Sequence, residues 1–298
     1  MAYGEISDEN WSNLQKSGGV LSQVFDETTS RIEPGVKHIE IAEYAETRIR
    51  ELGGEPAFPV NINIDEEASH AILGADDDST FGDADLVTLD MGVHVDGWCS
   101  DAAVTVDLSG EHGDLVAASD AALDAALDSI EAGVHTGTVG HAIERTIRES
   151  GFRPIVNLSG HGLGHYEAHT DPSLPNVGSD EGTELAEGDV LAVETFATTG
   201  RGRVTEGSEE RIFRLDDDRP VRDRRARELL DTLRETRQSL PFTTRWYDIP
   251  GLDVTVKRLV NRGVLRADPV LKEKSGALVS QSEHTVVVTA DGCEVTTQ

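Results

Sequence analysis

The chain has 298 residues, enough for one large domain or two small ones, and aromatics make up only 5% of it, so a modest, aliphatic core is expected. No apolar run approaches the roughly 18 to 20 residues that cross a bilayer, and two cysteines, Cys99 and Cys293, exclude a disulfide-stapled scaffold or a Cys-rich zinc module. Fifty-six acidic against 26 basic residues, five of them lysine, leave a formal charge of −30 that repels phosphate backbones and anionic lipid, so the sequence reads as a soluble cytoplasmic protein without nucleic acid or membrane partners.

The first pattern in chain order is a repeat. Residues 32–58 align without gaps on 130–156, with ten of 27 positions identical, Gly35/Gly133, Glu46/Glu144, Gly53/Gly151 and Pro56/Pro154 among them. Each copy predicts a helix end closed by the first Gly, an amphipathic helix, a stop at the second Gly and an extended stretch after Pro. The chain is therefore expected to consist of two related halves. Next come two strands, 86–94 and 98–107, flanking Asp96-Gly97, a type I′ hairpin signal. A Gly- and His-rich loop follows at 157–169 (NLSGHGLGHYEAH), then an apolar strand at 189–198 with Glu194 near its centre. Residues 215–275 open with a charged run and carry a second amphipathic stretch. They read as a mostly helical insertion of about 60 residues, too long for an ordinary loop. A last strand, 284–290, is immediately preceded by Glu283.

Acids within strands need an explanation, since Asp is depleted there and is rarely buried without a partner or a metal. With Asp96-Gly97 as a two-residue turn, Asp90 pairs with Ala103, and Asp101 falls on the same sheet face, within reach of a shared ion. Taken alone, the pair equally suits two surface aspartates on an edge hairpin. The loop adds His161, His165 and His169 among glycines that permit close backbone approach and unusual dihedrals, without the spacing or the Lys of a phosphate loop. Two Asp, one His and two Glu, each at a strand or its edge, suit two divalent ions of the Mn, Fe, Co or Zn kind. No HExxH is present.

In combination, AFPVN (57–61), His70, the LDMGVHVDG hairpin with Asp101, NLSGHGLGHYEAH, VETFATTG (193–200), LPFTTRWY (240–247) and SQSEHTVVV (280–288) resemble the type II methionine aminopeptidases of the pita-bread metallopeptidases, over nearly the whole chain. The resemblance implies an α/β (α+β) fold, with a pseudo-two-fold central antiparallel sheet flanked by helices. Residues 1–298 would form a single catalytic domain, with a winged-helix-like insertion at 215–275. It implies that Asp90, Asp101, His161, Glu194 and Glu283 hold two divalent ions, Asp101 and Glu283 bridging, and that a metal-activated hydroxide attacks the scissile carbonyl. Glu194 would shuttle the proton, His169 would donate to the carbonyl oxygen, and His70 would contact the substrate backbone or leaving nitrogen.

Phe58, Pro241 and Ile212 are the implied methionine pocket; Phe58 equally suits core packing. The expected substrates are the N-terminal peptides of nascent proteins with a small second residue (Ala, Gly, Ser, Thr, Pro, Val or Cys), a sequence with which this chain itself begins, Met1-Ala2. Prolidase or Xaa-Pro aminopeptidase activity, and a non-catalytic binding relative, are the alternatives; a monomer is the family's habit. Cys99 and Cys293 suit buried inert thiols better than ligands or a redox switch. The acid excess, the scarce lysine and the few aromatics are similar to proteins of salt-accumulating halophiles, and the acids, spread along the whole chain, suit a solvated surface better than a basic partner.

Overall fold

A computed structural model of the chain describes residues 7–217 and 219–298; the Met1-Ala2 start lies outside them. Helices α1 (Asp8–Thr29) and α2 (His38–Glu51) lead into short strands β1 (Glu55–Pro56), β2 (Asn61–Ile64) and β3 (Glu67–Ser69), then into the long hairpin β4 (Leu86–Val95) and β5 (Trp98–Asp107). Helices α3 (Gly113–Leu127) and α4 (Thr136–Glu149) lead likewise into β6 (Arg153–Pro154), β7 (Ser159–Gly164), β8 (Glu167–Pro175) and β9 (Val190–Thr198). The remainder comprises β10 (Thr205–Leu215), α5 (Arg224–Thr236), α6 (Leu252–Val260), β11 (Leu265–Lys272), β12 (Val279–Thr289) and β13 (Gly292–Val295). Among the described residues no helix is long and apolar enough to cross a membrane.

The repeat is structural. Helices α2 and α4 are each 14 residues long, and each is followed by a Gly at positive φ, Gly53 at 80° and Gly151 at 87°. The prolines that follow pair antiparallel with the sheet, Pro56 opposite Val93 and Pro154 opposite Ala197. The first glycine of each copy does something other than end a helix. Helix α1 stops at Thr29 and α3 at Leu127, while Gly35 and Gly133 sit in the next turn and donate their N–H to Phe81 O and Leu185 O.

One antiparallel sheet runs in the order β1-β4-β5-β12-β9-β7-β8, with β2 on β4, β6 on β9 and β13 on β12. Its strands alternate with period two, and in β4, β9 and β12 both faces are buried. Val87, Leu89, Met91 and Val93 of β4 pack against α1 and α2, while Leu191, Val193 and Ala197 of β9 with Val286 and Val288 of β12 pack against α3 and α4. The intervening residues face the other way, where the functional groups lie. Helix α3 approaches closely because Ala118, Ala122 and Ala126 are its contact stripe.

Within 215–275 the helices α5 and α6 carry their own cluster, Leu229, Leu230, Leu233, Val256 and Leu259 around Phe242. Helices are only part of this segment. Strand β11 pairs with β10, and β3 from the first half joins them as a second, three-stranded sheet.

Candidate metal centre

Register alone assembles most of the site. The two turn residues of the β4–β5 hairpin have φ of 48° and 83°, as a type I′ turn requires, and the pairing that follows sets Asp90 opposite Ala103. Ala103 also pairs with Glu283 on β12, and Glu283 with Glu194 on β9. Asn61 on β2 pairs with Asp90 from the other side. One row across five strands therefore reads Asn61, Asp90, Ala103, Glu283, Glu194, with the methyl of Ala103 leaving space between the acids. Asp101 lies two residues from Ala103 on the same face, and His161 on β7 pairs with Ala192, two residues from Glu194. Asp101, His161 and Glu283 offer ligand atoms within 4.8 Å of one another, and His161 Nε2 stands 3.0 Å from Glu194 Oε1 and 3.9 Å from Asp101 Oδ2.

Two expectations change here. Glu283 lies inside β12, which begins at Val279, rather than just before a strand. The reason is that Gln281, Glu283 and Thr285 face the site and its polar partners, so the strand lacks the apolar alternation that would mark it. The 157–169 segment is the β7–β8 hairpin, not a loop. Its glycines serve close approach and not unusual dihedrals. A Cβ on Gly160 would stand 2.4 Å from Ala192 O, and one on Gly162 would stand 2.4 Å from Asp171 O. The residue with positive φ there is Tyr166.

The electrostatics are those of a cation site. Asp90, Asp101 and Glu283 are buried, and Asp90 Oδ1, Asp101 Oδ1 and Glu283 Oε1 have no hydrogen-bond partner in the protein. Burial, with the neighbouring carboxylates adding to it, holds the pKa of all three well above the ordinary range. The side-chain donor Gln281 Nε2 reaches Glu283 at 3.0 Å. His161 bonds the Gly162 carbonyl at 3.1 Å through Nδ1, so this nitrogen carries the hydrogen and Nε2 is aimed at Glu194. An imidazole nitrogen facing a carboxylate at that distance needs a proton or a cation between them. Hard carboxylate oxygens with one imidazole, several of them unpartnered, fit a divalent metal ion.

The other expected residues lie around this cluster. A cavity of about 300 Å³ is lined by the four acids and the histidine above together with His70, His169, Phe58, Ile212 and Pro241. His70 adopts φ 67° and bonds Pro269 O at 3.2 Å through Nδ1. His169 stacks on His161 with ring centroids 3.8 Å apart, at the solvent-facing edge of the cavity. Desolvation within the cavity lowers the pKa of His70 and His169, and for His169 the adjacent imidazoles of His161 and His70 and the Arg214 guanidinium oppose an added positive charge, so each is neutral near pH 7. His165 lies away from the cavity and braces the hairpin turn, stacked on Trp98 and bonded to Asp96 O at 2.8 Å. Cys99 is buried with its thiol pushed up to about 12, and neither cysteine lines the cavity.

Four residues that the sequence left unmarked also belong here. Asn61 donates to Pro59 O at 2.8 Å, which leaves its buried Oδ1 unpartnered beside Asp90. Arg214, Arg266 and Asp268 meet at the cavity wall, Asp268 lying 3.6 Å from one arginine and 3.4 Å from the other. Asn61 ends the AFPVN run and carries a positional signal. The other three come from two exposed strands whose charges look like surface.

Two pseudo-symmetric helix-and-sheet halves, with acids and one imidazole gathered across the shared sheet, are the architecture of the pita-bread metallopeptidases. A family model described as metallopeptidase family M24 matches residues 12–290. The chain is 46% identical to a methionine aminopeptidase of Archaeoglobus fulgidus over 98% of its length and 100% of that protein. It is 42% identical to the methionine aminopeptidase of Methanocaldococcus jannaschii, over 97% and 99% of the two chains. The solved structure of a methionine aminopeptidase from Thermotoga maritima superposes with a TM-score of 0.73 at 23% identity, over 98% of each chain. The chain belongs to metallopeptidase family M24.

Proposed function

We propose that the chain is a methionine aminopeptidase that removes the initiator Met of nascent proteins when the second residue is small. It would work in the cytoplasm as a monomer that engages peptide N-termini and not nucleic acid or membranes. The observation that carries this is one cavity in which a cation-binding row of acids meets two neutral histidines and an apolar wall. About 300 Å³ is the low end of small-ligand pockets, which suits the end of a peptide chain.

Asp90, Asp101, His161, Glu194 and Glu283 would hold two divalent ions (Co, Mn, Fe or Zn). When bound, such ions supply a Lewis acid and an acidified water. Glu194 accepts the proton at its carboxylate and returns it to the leaving amine. Neutral His169 donates a hydrogen bond where the carbonyl oxygen gains charge. His70, whose Nδ1–H is taken by Pro269 O, presents Nε2 as an acceptor for a substrate N–H. Phe58, Ile212 and Pro241 hold the methionine side chain.

The test is release of free methionine from Met-Ala-Ser by metal-reconstituted protein in concentrated KCl, beside Xaa-Pro and non-Met peptides. Release confined to Met-small peptides is expected, falling about 10²-fold or more in Glu194→Gln. Cleavage of Xaa-Pro peptides instead would move the reading to a prolidase. No release by folded, metal-loaded protein would leave a non-catalytic binding protein.

A further inference from the structure

Arg237, at the C-terminal end of α5, is the buried cation whose surroundings the catalytic scheme leaves unused. It is 6% exposed, and no carboxylate lies within ion-pair distance of it among the described residues. Its guanidinium instead spends its hydrogen bonds on three backbone carbonyls. Nη1 donates to Pro56 O at 2.8 Å, and Nη2 donates to Ala57 O at 2.7 Å and to Pro241 O at 2.6 Å. A charge buried without a counterion is costly, and burial draws its pKa down to about 10. Such a group is retained where its fork geometry performs a task that a neutral side chain cannot.

The three carbonyls identify the task. Ala57 immediately precedes Phe58, and Pro241 is itself a wall of the same cavity. One planar group therefore ties a segment of the first half to a segment of the 215–275 insertion, at the two places where these meet the substrate cavity. The clamp is held in turn. Trp246 lies under the guanidinium, 5.0 Å to the ring centroid, and its Nε1 donates to Glu46 Oε2 at 2.8 Å. Arg245 grips the same buried carboxylate with both Nη atoms, at 2.6 and 2.7 Å. On its far side the Phe58 ring rests on Gly92, where an added Cβ would stand 2.4 Å from Cε1. Phe58 is thus fixed from both sides.

We propose that Arg237 is a positioning residue that sets the separation of the Phe58 and Pro241 walls, and so the fit of the first side chain of the substrate. This rests on the reading of those walls as the methionine pocket. Lysine keeps the charge but cannot bridge two segments with a fork, so Arg237→Lys and Arg237→Met both release the wall. The metal ligands sit on other strands and are left in place.

Two measurements test the proposal on the full chain. In steady-state kinetics, both variants raise KM for Met-Ala-Ser about tenfold with kcat little changed, while a peptide beginning with the smaller 2-aminobutyrate loses much less. An equal loss for both peptides, or a loss confined to kcat, shows a structural role only and overturns it. The second measurement needs no turnover: ¹⁹F NMR of protein carrying 4-fluorophenylalanine, the Phe58 resonance assigned by Phe58→Leu. The Phe58 signal shifts or broadens in both variants while the Phe81 and Phe196 signals hold. An unmoved Phe58 signal overturns the proposal. If the parent protein releases no methionine, the pocket reading fails by itself, and the ¹⁹F result still decides whether Arg237 sets the wall.

Discussion

His161 and Glu194 present nitrogen and oxygen to each other at 3.0 Å, in a cluster whose other carboxylates each keep one buried oxygen without a partner. The chemistry of this pair dictates a proton–metal competition. Asp90, Asp101 and Glu283 have raised pKa values, so in the metal-free protein they hold protons to higher pH than unfolded carboxylates do. Their contribution to stability is therefore complete below the ordinary carboxylate range and is lost as pH rises through the raised values. A divalent cation replaces those protons. Calorimetric melting from about pH 5 to 8 is expected to show a metal-minus-chelator difference in Tm that grows with pH. At a hundredfold excess over Kd a bound ion adds about 2.7 kcal/mol. A difference that shrinks with rising pH would contradict the assignment of these acids as ligands. At this scale the sequence is most legible where the backbone is rigid: the two-residue turn by itself puts Asp90 and Asp101 on one face. It was least legible at Arg237. That residue hides in a charged run, although it continues the helical spacing of Ala226, Leu230 and Leu233 and so falls on the buried stripe of α5.

Elements follow the same division. The paired helices and proline strands of the repeat were readable because Gly and Pro punctuate both copies alike, and the hairpin because Asp-Gly selects its turn. Strands β10 and β11 were not, since a run such as TEGSEERIFRL lies half in solvent and shows no apolar alternation. The β7 strand was hidden for a different reason: three glycines make a strand look like a loop, whereas here they let β7 lie against β9 and β8. The same Gly→Ala change should therefore have opposite signs at two sites. At Gly160 the methyl meets Ala192 O at 2.4 Å and Glu194 N at 3.0 Å, both backbone, so the β7–β9 contact must open. We expect a loss of about 2–4 kcal/mol, together with weaker metal binding because His161 rides on β7. At Gly19, exposed on α1 with nothing near the added carbon, alanine is expected to add about 0.5–1 kcal/mol. Urea midpoints read both, and a Gly160→Ala protein as stable as the parent would refute the close-approach role.

For the whole molecule, charge density decides how salt must act. A net charge of −30 over 13460 Å² leaves one uncompensated charge per about 450 Å², roughly 21 Å apart if evenly spread. The Debye length is about 10 Å at 0.1 M and about 3 Å at 1 M. The mean repulsion is therefore screened within the first few tenths molar. Only local runs such as Asp76–Asp78, whose charges stand a few ångströms apart, still respond up to about 1 M. Thermal melts should accordingly rise steeply from about 0.01 to 0.3 M KCl, more gently to 1 M, and then level, with the same curve for any monovalent salt. A further climb in the molar range that favoured sulfate over chloride would instead report exclusion of the salt from the surface. The metal centre pulls the opposite way. Its four carboxylates attract a cation most strongly where screening is weakest, so metal affinity should fall over the same salt range in which the fold gains stability. Isothermal titration of a divalent ion at 0.1 and 1 M KCl measures that exchange, and an affinity that rises with salt would show that folding, and not ligand charge, limits the site.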